Sequence, residues 1–509
     1  MTGQPTVEGA RAVPAAEPEP GWQRLDGRTI PVRMVNEVIG FIPVLIGVIA
    51  LGQHDSSRFW WGLAVIGLLL ARGVLHWATT RYRVTEEQLE VRTGLFNRQR
   101  LTARRDRVRT VESTARFGHR LFGVTAVHIG TGQHDQRRRP LRLDAVSVAE
   151  ADRLRHDLLR RQATSTGPIE PTADTGQRES GALIASLRPA WLAYAPLTLS
   201  GLASIGVLLA LVWRSANELD INPANVPGLR SGVHWVEHAS VGGLIAVGTV
   251  IVLLVVVVGS VVVYVFQFAG YRLTREPDAT LHVRRGLLTR SMVTIEEARL
   301  RGVAVREPLL LRAARGGRCT AVATGLRGGR SESHLLMPPG PAAQAHRVAG
   351  EVLRSDPSPT ATPLVRHLPA ALRRRLTRAV VPVLALTLVL WLSALAGGPG
   401  WTWIAALALV PVAAAIGYDR YRGLGHALTD GYLVTRSGSL DRRTVALQRT
   451  GIIGWQLRQS FFQRRLGLVT LTATTAAGHG AYHVLDLAEP AALELAEAAQ
   501  PGLLAPFTH

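Results

Sequence analysis

Five stretches of this chain run too long without a charge for an ordinary water-soluble fold. Residues 38–54 are 17 uncharged positions, and Phe59–Thr80 is a run of 22 interrupted only by Arg72. Pro189–Trp213 has 25 uncharged residues and His238–Tyr271 has 34. Ala379–Tyr418 has 40, with Gly397-Gly398-Pro399-Gly400 at its centre. That tetrapeptide predicts a tight turn, which divides the forty into two spans of 18. An 18-residue helix rises roughly 27 Å, close to the hydrocarbon thickness of about 30 Å. The pattern therefore predicts six membrane spans in three hairpins. Buried helices of a large soluble protein fit poorly, because they rarely run this long without a charged face. Arg72 is expected to snorkel to a headgroup or to face another helix.

Arginine placement predicts the orientation. Arg28 and Arg33 precede the first span, and Arg81 and Arg83 follow the second. Arg178 and Arg188 stand before the third, and Arg272 and Arg275 after the fourth. Arg373, Arg374, Arg375 and Arg378 precede the fifth, and Arg420 and Arg422 follow the sixth. The connections inside the pairs are poor in arginine. Both termini and all three large hydrophilic regions are therefore expected on the cytoplasmic side of a multi-pass cell-membrane protein.

Composition narrows the chemistry. The net charge is +21, and no lysine occurs among the 509 residues, so every fixed cation is Arg. A phosphate-binding P-loop and a Schiff-base enzyme both need a lysine. The single cysteine, Cys319, excludes an intramolecular disulfide and any CxxC site. The first residues are rich in Pro and Ala, lack an apolar stretch, and read as a disordered tail rather than a signal peptide.

The hydrophilic regions repeat. RYRVTEEQLEVRTGLFNRQR (Arg81–Arg100) returns as HALTDGYLVTRSGSLDRR (His426–Arg443). Without gaps, Thr85 meets Thr429, Leu89 meets Leu433, Arg92 meets Arg436, Gly94 meets Gly438 and Arg98 meets Arg442. The same register carries Phe117 onto Phe461, Arg120 onto Arg464 and Gly123 onto Gly467. A middle copy, Tyr271–Arg290, supplies Thr274, Arg284, Gly286 and Arg290 with three extra residues. Order preserved at this length marks an internal repeat. Each unit is one membrane hairpin followed by roughly eighty residues that begin strand, turn, strand, with the glycine in a turn that a Cβ would penalise. TAVHIGTG, CTAVATG and VTLTATTAAG read as later strands. A helix closes each unit. In the first, Ser147 and Glu150 form a capping box, with Val148, Ala151, Leu154 and Leu158 along one face. Pro341–Leu353 and Pro490–Ala499 are the counterparts.

The order T-x4-L…R-x-G-x3-R, the basic segment QSFFQRRLGLVTLTATTAAG and the closing helix resemble the bacterial pleckstrin-homology-like domain. Paired spans before three tandem copies are similar to the YdbT-like membrane proteins. The resemblance implies an α+β membrane protein: six transmembrane helices in three hairpins, each followed by a cytoplasmic pleckstrin-like β-barrel or sandwich with a C-terminal helix. It implies no catalytic residues. The expected division is a tail at 1–33, hairpins at 34–80, 188–270 and 379–418, and barrels at 81–162, 271–354 and 419–499. Linkers fall at 163–187 and 355–378, an extracytoplasmic loop at 214–238, and a tail at 500–509.

Candidate chemical sites are sparse. His234-x3-His238 beside Glu237 has metal spacing on a helix but lacks a third ligand, so an interfacial role with Trp235 is favoured. His479 and His483 flank Gly480 between strands, where that geometry fails. Glu86-Glu87 and Glu296-Glu297 read as solvated acids. No cofactor or metal site is assigned, and an enzyme is not expected. The Arg-rich segments Ala103–Arg109 and Ala371–Arg378 are the strongest candidates for a contact. Arg104, Arg105, Arg107, Arg109, Arg373, Arg374 and Arg375 are therefore marked for anionic headgroups or a protein partner, weighed against a pure topology signal. Nucleic acid is not expected, since no recognisable motif accompanies the charge. The reading is a membrane scaffold or interaction platform, linked to envelope maintenance or stress through the resemblance, with self-association or protein partners. A transporter regulated by its barrels is the alternative, disfavoured by the scarcity of ionisable groups within the spans.

Overall fold

The computed structural model describes residues 23–24, 67, 181–198, 240–324 and 334–502, together with 81–153 except 86–87, 94–98, 105–109, 116, 131–140 and 152. Every strand pair among the described residues is antiparallel. The first unit supplies β1 (Gln23–Arg24), β2 (Arg81–Val84), β3 (Gln88–Thr93) and β4 (Gln99–Arg104), a four-stranded sheet in that order. It continues with β5 (Thr110–Ala115), the short helix α1 (Phe117–Leu121), β6 (Val124–Gly130) and β7 (Leu141–Ser147).

The second unit repeats this order as β8 (Ala182–Ser186), α2 (Val241–Phe268), β9 (Arg272–Arg275), β10 (Thr280–Arg285), β11 (Arg290–Glu296), β12 (Leu300–Pro308), α3 (Leu309–Ala313), β13 (Gly316–Ala323), β14 (Leu335–Pro341) and α4 (Ala342–Leu353). The third unit runs α5 (Pro369–Leu395), α6 (Thr402–Ala408), α7 (Val410–Arg422), β15 (Gly425–Leu428), β16 (Tyr432–Ser437), β17 (Asp441–Gln448), β18 (Gly454–Arg458), α8 (Phe461–Arg464), β19 (Leu468–Thr474), β20 (Ala481–Ala488) and α9 (Glu489–Ala499).

The turn glycines behave as their sequence predicts. Gly286 and Gly438 occupy equivalent positions with φ of 97° and 101°. A Cβ at either would fall 2.0 Å from the Thr289 oxygen or 2.1 Å from the Asp441 oxygen, so only glycine fits. Gly123 and Gly467 share a second left-handed position, which the middle unit fills with Arg315 at φ 55°.

Neighbouring units are joined through their sheets. The half-unit β5–β7 continues into β8–β11 as one seven-stranded sheet, ordered β7-β6-β5-β11-β10-β9-β8. Next, β12–β14 continue into β15–β17 as a six-stranded sheet, ordered β14-β13-β12-β17-β16-β15. The last half, β18–β20, stands as three strands. The six-stranded sheet is a common wall. From β12, Val303 and Val305 point into the core closed by α4, while Ala304 points into the core closed by α9. From β17, Ala446 faces the first of these and Val445 and Leu447 the second. Burial on both faces explains the continuous apolar reading of Val303-Ala304-Val305.

Three helical lengths among the described residues are long and apolar enough to cross a membrane: Thr249–Phe268 within α2, Pro369–Leu395, and Thr402–Arg422. They correspond to the fourth, fifth and sixth of the six expected spans. The residues of the first hairpin lie outside the described ones, apart from Gly67. The third span was expected to start at Pro189, but Pro189–Leu197 is a 3-10 helix. It carries a second proline at Pro196 and buries Trp191 and Ala195 beside the barrel. Pro196 removes one backbone donor and its ring clashes with the preceding turn, which disfavours a continuous α-helix through this segment. The fifth span begins at Pro369, ten residues before the uncharged run, so Arg373–Arg378 lie in its first turns rather than in a linker. Gly417 of α7 meets α5 closely: a Cβ there would stand 3.1 Å from the Arg375 oxygen.

The chain before each apolar region pairs with the strand after it, through strands in the first two units and a single bridge in the third. Gln23 and Arg24, inside the expected tail, pair with Tyr82 and Arg81. Ala182–Ser186, inside an expected linker, pair with β9. Val365 bridges His426 of β15. In the first closing helix, Glu150 N donates to Ser147 Oγ at 3.2 Å, but Val148, expected on the inner face, is exposed.

A basic cleft at the base of the third hairpin

Strand β20 alternates as sequence requires. Tyr482 and Val484 face the core while His483 faces outward. Asp486 then breaks the apolar register. It is fully buried, adopts φ 58°, and stands in the strand YHVLDLA where an unpaired acid would be costly. Its carboxylate is satisfied by three donors. Arg374 Nη1 pairs with Oδ1, Arg375 Nε donates to Oδ2 at 2.7 Å, and Gln463 Nε2 donates to Oδ1 at 3.0 Å. The two arginines come from the first turns of α5. Gln463 is held by a capping box with Ser460 and also donates to Thr470 Oγ1 at 2.9 Å.

The same junction ties in the other helix of the hairpin. Tyr421 Oη of α7 donates to the His367 carbonyl at 2.9 Å. His367 Nδ1 lies 3.2 Å from the Asp486 carbonyl, and its Nε2 lies 3.3 Å from His426 Nδ1. Burial lowers the pKa of both imidazoles, and that of His426 falls to about 4 with His367 adding to the effect.

Beside this junction opens a cleft of about 630 Å³. Arg374, Arg375 and Arg378 line it from α5, Gln456 and Arg458 from β18, and Ser460, Phe462 and Gln463 from the turn and α8. Thr470, Thr472, His483 and Leu485 form its floor. His483 Nδ1 is 2.9 Å from Thr472 Oγ1. Asp486 neutralises one of its two arginines. Arg378 and Arg458 are exposed and, among the described residues, have no ion-pair partner. The cleft therefore carries a net positive charge, at the level where α5 enters its apolar length.

The marked arginines divide. Arg374 is buried, Arg375 is half-buried, and both are tied to Asp486 in the cleft wall. Arg373 lies on the same turn but is exposed and outside the cleft lining. Arg104 ends β4 opposite Gln88, and Arg105, Arg107 and Arg109 lie outside the described residues. Sequence reasoning missed Asp486, Gln463, Arg378, Arg458 and His483 as one group. The available signal was Asp486 itself, a lone acid among the apolar residues of a strand. Glu296 and Glu297, read as solvated, are paired: Glu296 with Arg299 at 2.8 Å, and Glu297 with Arg275 and Arg354. His234 and His238 lie outside the described residues.

Repeated half-barrels with shared walls, closing helices and apolar helices between them define a membrane protein built from tandem pleckstrin-like units. A family model for the bacterial PH domain matches residues 37–162, 231–354 and 377–500, well over half of the chain, and the chain belongs to that family. Each match starts within or beside an apolar run, so the family's repeating unit takes in apolar run and barrel together. The chain is similar to the UPF0699 transmembrane protein YdbT of Bacillus subtilis (strain 168), at 21% identity over 462 residues, 88% of this chain and 89% of the relative. No solved structure matches.

Proposed function

We propose that the protein is a non-enzymatic, multi-pass membrane scaffold. Its pleckstrin-like barrels lie on the cytoplasmic face, and its basic cleft takes the phosphate of an anionic lipid headgroup. Strand pairing supports the hairpins: where a strand before an apolar region pairs with the strand after it, the chain must leave and return on one side. Arginine at the outer ends of each apolar pair supports the cytoplasmic side. The sole thiol, Cys319, is fully buried with its pKa pushed up to about 12 by that burial, which suits a packing role rather than a nucleophile.

The observation that carries the reading is the pair Arg378 and Arg458, two unneutralised guanidiniums facing one cleft at the membrane boundary. Guanidinium forks match phosphate oxygens. Each basic group at an anionic surface contributes about 1 kcal/mol, so the pair predicts roughly a thirtyfold preference for anionic lipid. The test is native mass spectrometry of the full chain from nanodiscs of mixed phosphatidylglycerol and phosphatidylcholine. Retained phosphatidylglycerol that is lost in the Arg378→Gln, Arg458→Gln double variant is the expected result. Equal retention of both lipids by the unaltered protein refutes the headgroup assignment.

A further inference from the structure

We infer that the two outer sheet edges, β4 of the first unit and β18 of the third, pair between chains, so that the protein assembles head to tail with second copies of itself. The two junctions inside the chain show the rule. β5 pairs with β11, setting Ala115 opposite Arg290, Ser113 opposite Met292 and Val111 opposite Thr294. β12 pairs with β17, setting Glu307 opposite Arg442, Val305 opposite Thr444 and Val303 opposite Ala446. Under the repeat alignment, in which Arg120, Arg312 and Arg464 are equivalent, these are the same pairs in the same register.

A side-chain contact repeats with them. Arg120 Nη1 donates to the Leu287 carbonyl, and Arg312 Nη1 donates to the equivalent Ser439 carbonyl at 3.2 Å. The third unit carries the same strand, helix and arginine as β18, α8 and Arg464. Among the described residues, β18 has β19 as its sole neighbour, and β4 is the outer strand of its sheet. The missing neighbour shows in burial. Val305 is 0% exposed, whereas its equivalent on β18, Leu457, is 39% exposed. The three strands β18–β20 and the four strands β1–β4 would make a seven-stranded sheet, the same composition as the one that joins the first and second units.

An open edge is a template for another strand, and the strand whose place in the repeat and whose register fit β18 is β4 of a second chain. The rule predicts Leu457 opposite Arg100 and Trp455 opposite Thr102, with Arg464 in the donor position that Arg120 and Arg312 hold at the other two junctions. Such a contact is heterologous, so its repetition gives a closed ring or an open row in the membrane plane.

Register-specific crosslinking of the full chain tests this. Arg100→Cys and Leu457→Cys are made on separately tagged chains and co-expressed, with the buried Cys319 retained. Mild oxidation is expected to yield mixed-tag dimers, which the one-residue shift pairing Arg100→Cys with Gln456→Cys reduces several-fold. Placing both cysteines on one chain is expected to give ladders. An internal disulfide in a monomer, no crosslink, or equal yield from the shifted pair overturns the proposal. Mass photometry in nanodiscs gives an independent reading. Arg464→Glu, at an exposed position, is expected to weaken self-association at least tenfold without changing the melting temperature. A monomeric unaltered protein, or unchanged association of the variant, refutes it.

Discussion

Asp486 decides how the third hairpin stands on its barrel. A fully buried carboxylate persists only because Arg374, Arg375 and Gln463 surround it. Asp486→Asn keeps the size and tolerates the left-handed backbone but leaves two guanidiniums without their counter-charge. Breaking a buried pair in this way costs about 3–5 kcal/mol. The variant should melt well below the unaltered protein in detergent and expose the 360–375 segment to protease, whereas replacing the exposed Arg373 should do neither. The arginines were legible in sequence as a basic run ahead of a span. Their target was not, because Asp486 lies more than a hundred residues away and nothing local to either segment encodes the meeting. Arg315, left-handed where its equivalents are glycine, marks where the middle copy diverges at residue level while its backbone stays the same.

At the scale of elements, the segment before α5 is clamped to β15 by the Val365–His426 bridge and by the contact between His367 and His426. Burial depresses both imidazole pKa values, that of His426 to about 4, against an ordinary value near 6.5 when unfolded. The unfolded chain therefore binds more protons than the folded one between those values. Stability from this contact is complete above about pH 6.5 and is lost as pH falls toward 4. The loss from His426 is at most about 3 kcal/mol, since part of the ring reaches solvent. Melting temperatures measured from pH 7.5 to 4.5 should fall, and His426→Gln should flatten that slope. An unchanged slope in the variant would mean that other groups carry the acid sensitivity. The strands themselves were legible: β6, β13 and β19 fall on the three segments read as late strands, and the turn glycines sit where a Cβ is excluded.

For the whole molecule, the shared wall predicts that the second and third barrels unfold as one cooperative body. Ala304 points into one core while its neighbours Val303 and Val305 point into the other. Ala304→Phe overpacks the α9-side core at a cost of about 1–3 kcal/mol. It is expected to speed amide exchange in β19 and β20 and also in β13, across the wall. Faster exchange confined to the third unit would show that the barrels open independently. A tripled gene could equally have given three separate beads, and the sequence reading left that undecided.

The sequence by itself determined the unit and its periodicity. The uncharged runs at 241–268 and 379–418 dictate helices that avoid water, alternating residues dictate strands, and a recurring glycine dictates the turn, all through forces acting within a few residues. Only the tertiary structure decided which strand lies beside which, and which distant acid neutralises which arginine. A sheet edge presents the same backbone donors and acceptors whatever its side chains, so its partner is selected by the packing of entire half-barrels rather than by any segment read alone.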